Sequence, residues 1–561
     1  TYWSAYPEHP KAYGDQAPEE GQSQFDGLVG VPFDTDQEHS GWLDVEESSP
    51  YGLELGITYP ATTVDACVSD AVAAMRDWGR TSPEARAGVC LEILARLAQD
   101  SFTMAHAVMH TTGQSFLMAF QAGGPHALDR ALEAVAYAYR EQKRLPDSLR
   151  WEKPQGSRDP LVIDKKWIIR PRGVAVAVGV STFPTWNGYP GIFASLATGN
   201  PVIVKPHPET ILPLALLVRT SRAVLAEAGF DPNVMQLLVD TPGALVTKDL
   251  VMRPEVAIVD YTGGTAFGTW LEQNVSHAEV YTEKAGVNSV ILDSAGDLGA
   301  VFRNLAVSMT MYSGQMCTTP QDLFVPASGV RVGDELVPYD DVVEAFVTSI
   351  DGLLGDDARA AAILGAVKGS ATLSRIDDAA ATGRVLSPSR AVSAPDHPDA
   401  IVRTPVIVEV TGEDDAYATE MFGPVIYVVK ADSTSDAIAL AKEAALQSGA
   451  ITWLAYTTDD AVMEEVVDAA VDSGVSVAFN LTGGLYVNQS AAFSDFHVTG
   501  ANPAGNASLT DPAFVANRFR VVGVRVEPAA GDWPPRGVGA VSYTHLRAHE
   551  TERTISDAVF G

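Results

Sequence analysis

Three side chains of this 561-residue chain are of types that together can process a carbonyl group: Cys317 in MYSGQMCTT, Glu283 in EVYTEKAG and Asn187 in STFPTWNGYP. A thiolate can add to an electrophilic carbon, an amide donor can hold the oxyanion that forms, and a carboxylate can activate water to release an acyl group. Each is ordinary alone. A lone cysteine is usually an inert core residue, a glutamate a solvated charge, and an asparagine between aromatics and prolines a turn residue. Cys317 follows a helical stretch and stands near a glycine, where backbone can approach a substrate and a thiolate can be stabilised. The separation 317 − 283 = 34 residues leaves room for a strand, a helix and a return to the same site. An amide donor in the role suggested for Asn187 is worth about 3 kcal/mol where such a group has been deleted elsewhere.

The elements that must position these groups are legible in the hydrophobic period. Helical periodicity runs from Val64 to about residue 142 as a helical layer. After Pro171, short apolar strands alternate with amphipathic helices: GVAVAVGV, a helix near 189–198, PVIVK, a helix over 210–228, VMQLLVD and VAIVDYTGG. A second series follows Glu283, with helices expected near 297–312, 341–354, 433–447 and 459–472 between the strands SVILD, DLFVPA, PVIVEV, VIYVVK, ITWLAYTT and VSVAFN. Such alternation predicts an α/β fold with largely parallel, doubly wound sheets and ligands at the carboxyl ends of the strands. The charged, β-prone segments 162–173 and 518–528 are expected to pair in a small excursion sheet whose edge invites a second subunit. Residues 1–60, rich in Pro, Gly and acids, read as an extended arm.

Composition excludes several classes. A formal net charge of −33 opposes nucleic-acid and anionic-membrane binding. Three scattered cysteines, Cys67, Cys90 and Cys317, form neither a disulfide framework nor a zinc motif. His106 and His110 have metal-ligand spacing on a helix but lack a third ligand, so no metal is expected. No apolar run approaches the ~20 residues that span a bilayer, and the start has no signal-peptide pattern, so a cytoplasmic protein is expected. Position 1 is Thr, and a missing or processed native N-terminus is expected. The tail 529–561 turns Pro/Gly-rich, then basic and patternless; its VSYTHLRAHET resembles translated adapter sequence, and it is set apart from the functional reasoning.

The ordered set PRGVAVAVGVSTFPTWNGYP, SLATGNPVIVKP, YTGGTAFG, TEKAG, GQMC and EMFGPV resembles the aldehyde dehydrogenase superfamily over about 64–526. That resemblance implies an NAD(P)-dependent oxidation of an aldehyde to an acid, with Cys317 as nucleophile, Glu283 as general base, and Asn187 with the Cys317 backbone N–H as oxyanion donors. It implies cofactor contacts from Lys205 at the adenine ribose, Glu420 and Phe422 of EMFGPV at the nicotinamide side, Phe183, Pro184, Thr185 and Trp186, and Gly263, Gly264 and Gly268 near the pyrophosphate. It implies a dinucleotide-binding domain from 61–157 and 174–283, a catalytic domain over 284–490, and oligomerisation segments 158–173 and 491–528 that make a homodimer or homotetramer. Two departures bear on chemistry. Pro208 of KPHPE stands where the family often has a ribose-binding carboxylate, which favours NADP over NAD by a small margin. Lys284 follows the base, where it could perturb the base, meet an acidic substrate, or simply be solvated.

The arm TYWSAYPEHPKAYG, the stretch HTTGQSFLMAFQAGGPHALDRALEAVAYAY and the ending AFSDFHVTGANPAGNAS resemble the PaaN-type branch of phenylacetic acid degradation proteins. That branch implies a CoA-linked semialdehyde as substrate. The 561 − 526 = 35 residues beyond the last strand are too few for a fused hydratase, so ring opening would need a separate protein. A glutamate at 283 opposes a CoA-acylating reductase, which must spare the thioester. The CTT around Cys317 is shared with phosphorylating glyceraldehyde-3-phosphate dehydrogenases, but no GxGxxG after an N-terminal strand accompanies it. The alternatives kept open are oxidation of a free aldehyde outside phenylacetate catabolism and a catalytically silent cofactor-binding scaffold.

Overall fold

The alternating strands and helices after Pro171 build two separate parallel sheets in a computed structural model that describes residues 6–284, 286–490 and 510–528. In the first, Met235–Leu237, Val202–Lys205, Val174–Val178, Val256–Thr262 and Glu279–Glu283 lie side by side in that order, all parallel. The chain starts at the middle strand, builds outward one way, then returns to build the other way. A topological switch therefore lies between Val174–Val178 and Val256–Thr262, where diverging connections leave a crevice at the carboxyl edge. Helices cover both faces, so the strand Val202–Lys205 is buried at every position, as the β-branched run VIV requires.

The second sheet has seven strands in the order Arg384–Ser387, Val406–Thr411, Val425–Ala431, Pro320–Pro326, Asn288–Leu292, Thr452–Tyr456 and Ser476–Phe479. Among the described residues, only Arg384–Ser387 runs antiparallel to its neighbour in this sheet. A third sheet of three antiparallel strands joins Phe519–Val526, Arg158–Pro171 and Ser148–Gln155, with Phe519 opposite Pro171 and Val526 opposite Asp164. The expected pairing of the two charged segments is present, and the excursion begins at Ser148 rather than at 158. Arg150 holds the buried Asp164 through two hydrogen bonds of 2.7 and 2.9 Å across this sheet. Ile168, Val522 and Leu161 remain exposed on it.

Two local outcomes differ from the sequence pattern. The arm 1–60 contains a helix, Ala17–Asp26, with Pro18 in its first turn and Glu19 and Glu20 at the positive end of its dipole. It buries Phe25 against the helix Ser101–Thr112, and Gly21 is needed there because a Cβ would overlap that of Phe102. The helix expected near 189 begins at Pro184 and runs to Ala197, because proline at the first helical position has its φ preset and needs no donor. Asn187 thus sits in the first helical turn and not in a free turn. His106 and His110 stack on Phe25 at 5.7 and 5.0 Å and serve packing. Among the described residues no helix is long and apolar enough to cross a membrane. The ending 492–508 and the tail 529–561 lie outside the described residues.

Candidate active site

The crevice at the switch point is narrow. A cavity of about 20 Å³ is bounded by Ala177 and Val178 at the end of one strand, Asp260 to Thr262 at the end of the next, and Asn187 and Glu283. Glu283 closes the strand Glu279–Glu283 and is 2% exposed. Asn187 is fixed by its backbone N–H, which donates to Phe183 O at 3.1 Å, and its Nδ2 lies 3.4 Å from Thr262 Oγ1. A second cavity of about 340 Å³ is walled mainly by Leu117, Met118, Val307, Met311, Met316 and Trp186, with polar side chains such as His126, Gln121, Tyr486 and Asn488 among its lining. Cys317 lines this larger cavity.

Cys317, on the wall of the larger cavity, and Glu283, on the wall of the crevice, are close enough for the carboxylate to act on the thiol. Burial first, then Glu283, hold the thiol well above the ordinary thiol range; Glu420 adds to this and Arg130 opposes it. The backbone around the thiol is held from two sides. Ahead of it, Tyr312, Ser313 and Gly314 adopt left-handed φ of 51°, 52° and 66°, a sharp reversal after the helix Leu298–Thr310. Behind it, the buried Asn288 amide donates to Cys317 O at 2.7 Å and Thr319 O at 3.0 Å, while its oxygen accepts from Ile451 N and Thr452 N. All four hydrogen-bonding capacities of that amide are used. Asn288 was not singled out from the sequence, although its place five residues after Glu283 in TEKAGVN was a usable signal.

Lys205, at the carboxyl end of its strand, is buried and pairs with Asp240 Oδ1 at 2.5 Å. Gly264 caps the helix Thr265–Asn274 directly after Gly263, whereas Gly268 is a packing residue: a Cβ on it would lie 2.6 Å from Lys284 Cγ. Lys284 is buried and paired with Glu272 at 3.0 Å rather than solvated. Glu420 accepts from Gly286 N at 3.2 Å; burial first, then nearby Glu283, push its carboxyl up to about 7 against the pull of Gly286 N–H and Arg375. Arg375, another residue not foreseen, donates to Phe422 O at 2.8 Å beside it. Phe183 and Trp186 face the larger cavity, and Thr185 Oγ1 donates to Gly123 O at 3.1 Å, with Pro184 opening the same helix.

The aldehyde dehydrogenase family model matches residues 56–491. The chain belongs to the aldehyde dehydrogenase family. The crystal structure of an NAD-dependent aldehyde dehydrogenase from Burkholderia multivorans is 52% identical, with a TM-score of 0.91 over 95% of this chain and 96% of that one. Among curated relatives, the 1-pyrroline-5-carboxylate dehydrogenase of Geobacillus kaustophilus (strain HTA426) is 24% identical over 66% of this chain and 68% of the relative. Aldehyde dehydrogenase LUC3 of Fusarium sp is 23% identical over 77% and 86%. A glyceraldehyde-3-phosphate dehydrogenase GapN from Methanocaldococcus jannaschii, solved with NADP, is 16% identical with a TM-score of 0.67 and shows the shared fold alone.

This aldehyde dehydrogenase is an oxidoreductase that uses NAD or NADP. Its residues fit a dinucleotide. A Cβ on Gly264 would meet nothing within 4 Å, and the first turn of the helix Thr265–Asn274 carries no acidic side chain. Its backbone N–H groups and positive dipole end are thus suited to a pyrophosphate. Glu420, at the Glu283 side, is a carboxylate suited to a ribose diol.

Proposed function

We propose that this aldehyde dehydrogenase oxidises a CoA-linked semialdehyde to the acid in phenylacetate catabolism, as a member of the PaaN-type branch. The nearness of Cys317, on the wall of an apolar cavity, to Glu283, on the wall of the crevice at the sheet switch point, supports the assignment of roles. Cys317 gives its proton up and its thiolate adds to the aldehyde carbon, forming a tetrahedral thiohemiacetal. Asn187 Nδ2 and the Cys317 N–H stabilise the oxyanion. When bound, the dinucleotide accepts the hydride that leaves this carbon, and a thioester remains on Cys317. Glu283 then takes a proton from water, the hydroxide equivalent attacks the thioester, and the acid departs as the thiolate is regenerated. One water is consumed, two electrons pass to the dinucleotide, and one proton is released in addition to the acid.

A cavity of about 340 Å³ with apolar walls admits the aldehyde end of such a substrate and leaves a bulky CoA outside. The exposed three-stranded sheet suits the contact of a homodimer or homotetramer. In this arrangement the dinucleotide domain spans 61–157 and 174–283, less the strand Ser148–Gln155 that joins the excursion sheet, the catalytic domain 284–490, and the protein works in the cytoplasm. The test compares a CoA-linked semialdehyde with short free aldehydes, each with NAD and NADP, followed by the absorbance of the reduced nicotinamide. A higher kcat/KM for the CoA-linked substrate supports the proposal. Equal or better use of a free aldehyde replaces it with free-aldehyde oxidation outside phenylacetate catabolism. Cofactor binding with no reduction on any aldehyde leaves a binding scaffold.

A further inference from the structure

Pro190 lies inside the helix Pro184–Ala197 and has no N–H. The carbonyl four residues earlier, that of Trp186, therefore lacks its helical donor, and the next residue is Asn187. Arg130 fills this gap. Its Nη1 donates to Trp186 O at 3.0 Å, and its guanidinium carbon lies 3.8 Å from the centroid of the Trp186 ring. One cation from the helix Pro125–Lys143 thus holds Trp186 by both its carbonyl and its ring face, from a position only 4% exposed. Trp186 in turn forms part of the cavity wall that also contains Cys317.

We infer that Arg130 is a positioning residue of the aldehyde oxidation: it replaces the donor that Pro190 removes and so fixes the turn bearing Asn187 and the cavity wall beside Cys317. The inference rests on Cys317 as nucleophile and Asn187 as oxyanion donor. The same cation acts on the nucleophile electrostatically. Glu283 and Glu420 oppose the thiolate, and Arg130 favours it. A proline in the helix that presents the oxyanion donor is thereby tolerated, and a positive charge is kept near a thiol that two carboxylates discourage from ionising.

The experiment measures kcat, KM and the pH dependence of Cys317 alkylation by iodoacetamide for wild type, Arg130→Met and Arg130→Lys. In Arg130→Met, kcat falls about 10- to 100-fold as the oxyanion donor loses its fixed place, with little change in the KM for the dinucleotide. The alkylation midpoint of that variant moves up by about one unit, because the favourable charge is gone. Arg130→Lys restores the midpoint but only part of kcat, since lysine lacks the planar fork that meets both carbonyl and ring. A midpoint that stays in place in Arg130→Met, or a wild-type kcat, overturns the inference. Should Arg130→Met fail to fold, Arg130→Lys decides: reduced kcat at the wild-type midpoint supports it, and wild-type kcat overturns it. An active Cys317→Ala overturns the nucleophile assignment and this inference together, whereas an inactive Cys317→Ala beside an unaffected Arg130→Met overturns this inference alone.

Discussion

Replacing Gly314 with alanine probes how the nucleophile is held. Gly314 has φ +66°, and a Cβ built there would land on the Gly423 carbonyl oxygen of the EMFGPV loop, with the Gly423 carbonyl carbon at 3.0 Å. Two costs follow. The left-handed conformation costs an L-residue about 1–2 kcal/mol, and the overlap is with backbone, so one of the two loops must move, at about 1–2 kcal/mol more. Gly314→Ala is therefore expected to lose about 2–4 kcal/mol. Gly229→Ala is the control: its φ is +80° but nothing lies within 4 Å of the new Cβ, so only the backbone cost of about 1–2 kcal/mol applies. Thermal unfolding gives the stability difference, and steady-state kinetics gives the catalytic one. Cys317 is three residues on, and a displacement of ~1 Å at a reacting atom costs about 100-fold in kcat. Gly229→Ala should leave kcat unchanged. If Gly314→Ala matches Gly229→Ala in both stability and kcat, the close contact between the GQMC and EMFGPV loops does not position the nucleophile.

Glu283→Gln should make Cys317 more reactive toward iodoacetamide at neutral pH while impairing turnover. Removing the negative charge that raises the thiol pKa lowers it and increases the thiolate fraction; slower alkylation than wild type would contradict the assigned coupling. Arg518→Met should destabilise the fold by about 3 kcal/mol in thermal unfolding, because it leaves Asp260 without its two bonds of 2.7 and 2.6 Å. The same substitution removes the Ser195 contact at 2.8 Å that ties the segment before Phe519–Val526 to the helix Pro184–Ala197. An unchanged melting temperature would show that this buried pair contributes nothing net.

Much of this architecture was legible because the core strands are short β-branched runs and their helices carry the 3.6 period. The charged segments that pair as Arg158–Pro171 and Phe519–Val526 were readable as strands from their composition alone. The helix Ala17–Asp26 was not, because EEGQSQ is polar and glycine-containing, and only its contact with the Ser101–Thr112 helix selects it. The sequence pattern puts the start of the Asn187 helix too late because FPTWNGYP carries two prolines and a glycine, which normally break helices. There Pro184 opens the helix, and the donor lost at Pro190 is replaced by Arg130, some 60 residues earlier, a compensation no local pattern reveals. The motifs indicated Cys317, Glu283 and Asn187, whereas Asn288, Arg375 and the Lys205–Asp240 pair depend on neighbours distant in sequence. Ion pairing of the buried Lys284 with Glu272 is likewise tertiary.

In the proposed reaction Cys317 forms the acyl intermediate and Glu283 activates the water that hydrolyses it. Rapid-mixing measurement of reduced nicotinamide with an accepted aldehyde tests this in wild type, Cys317→Ala and Glu283→Gln. Steady turnover in wild type, none in Cys317→Ala, and a burst near one equivalent per active site followed by slow turnover in Glu283→Gln is the predicted result. Wild-type steady turnover in Glu283→Gln, or any burst in Cys317→Ala, would contradict it.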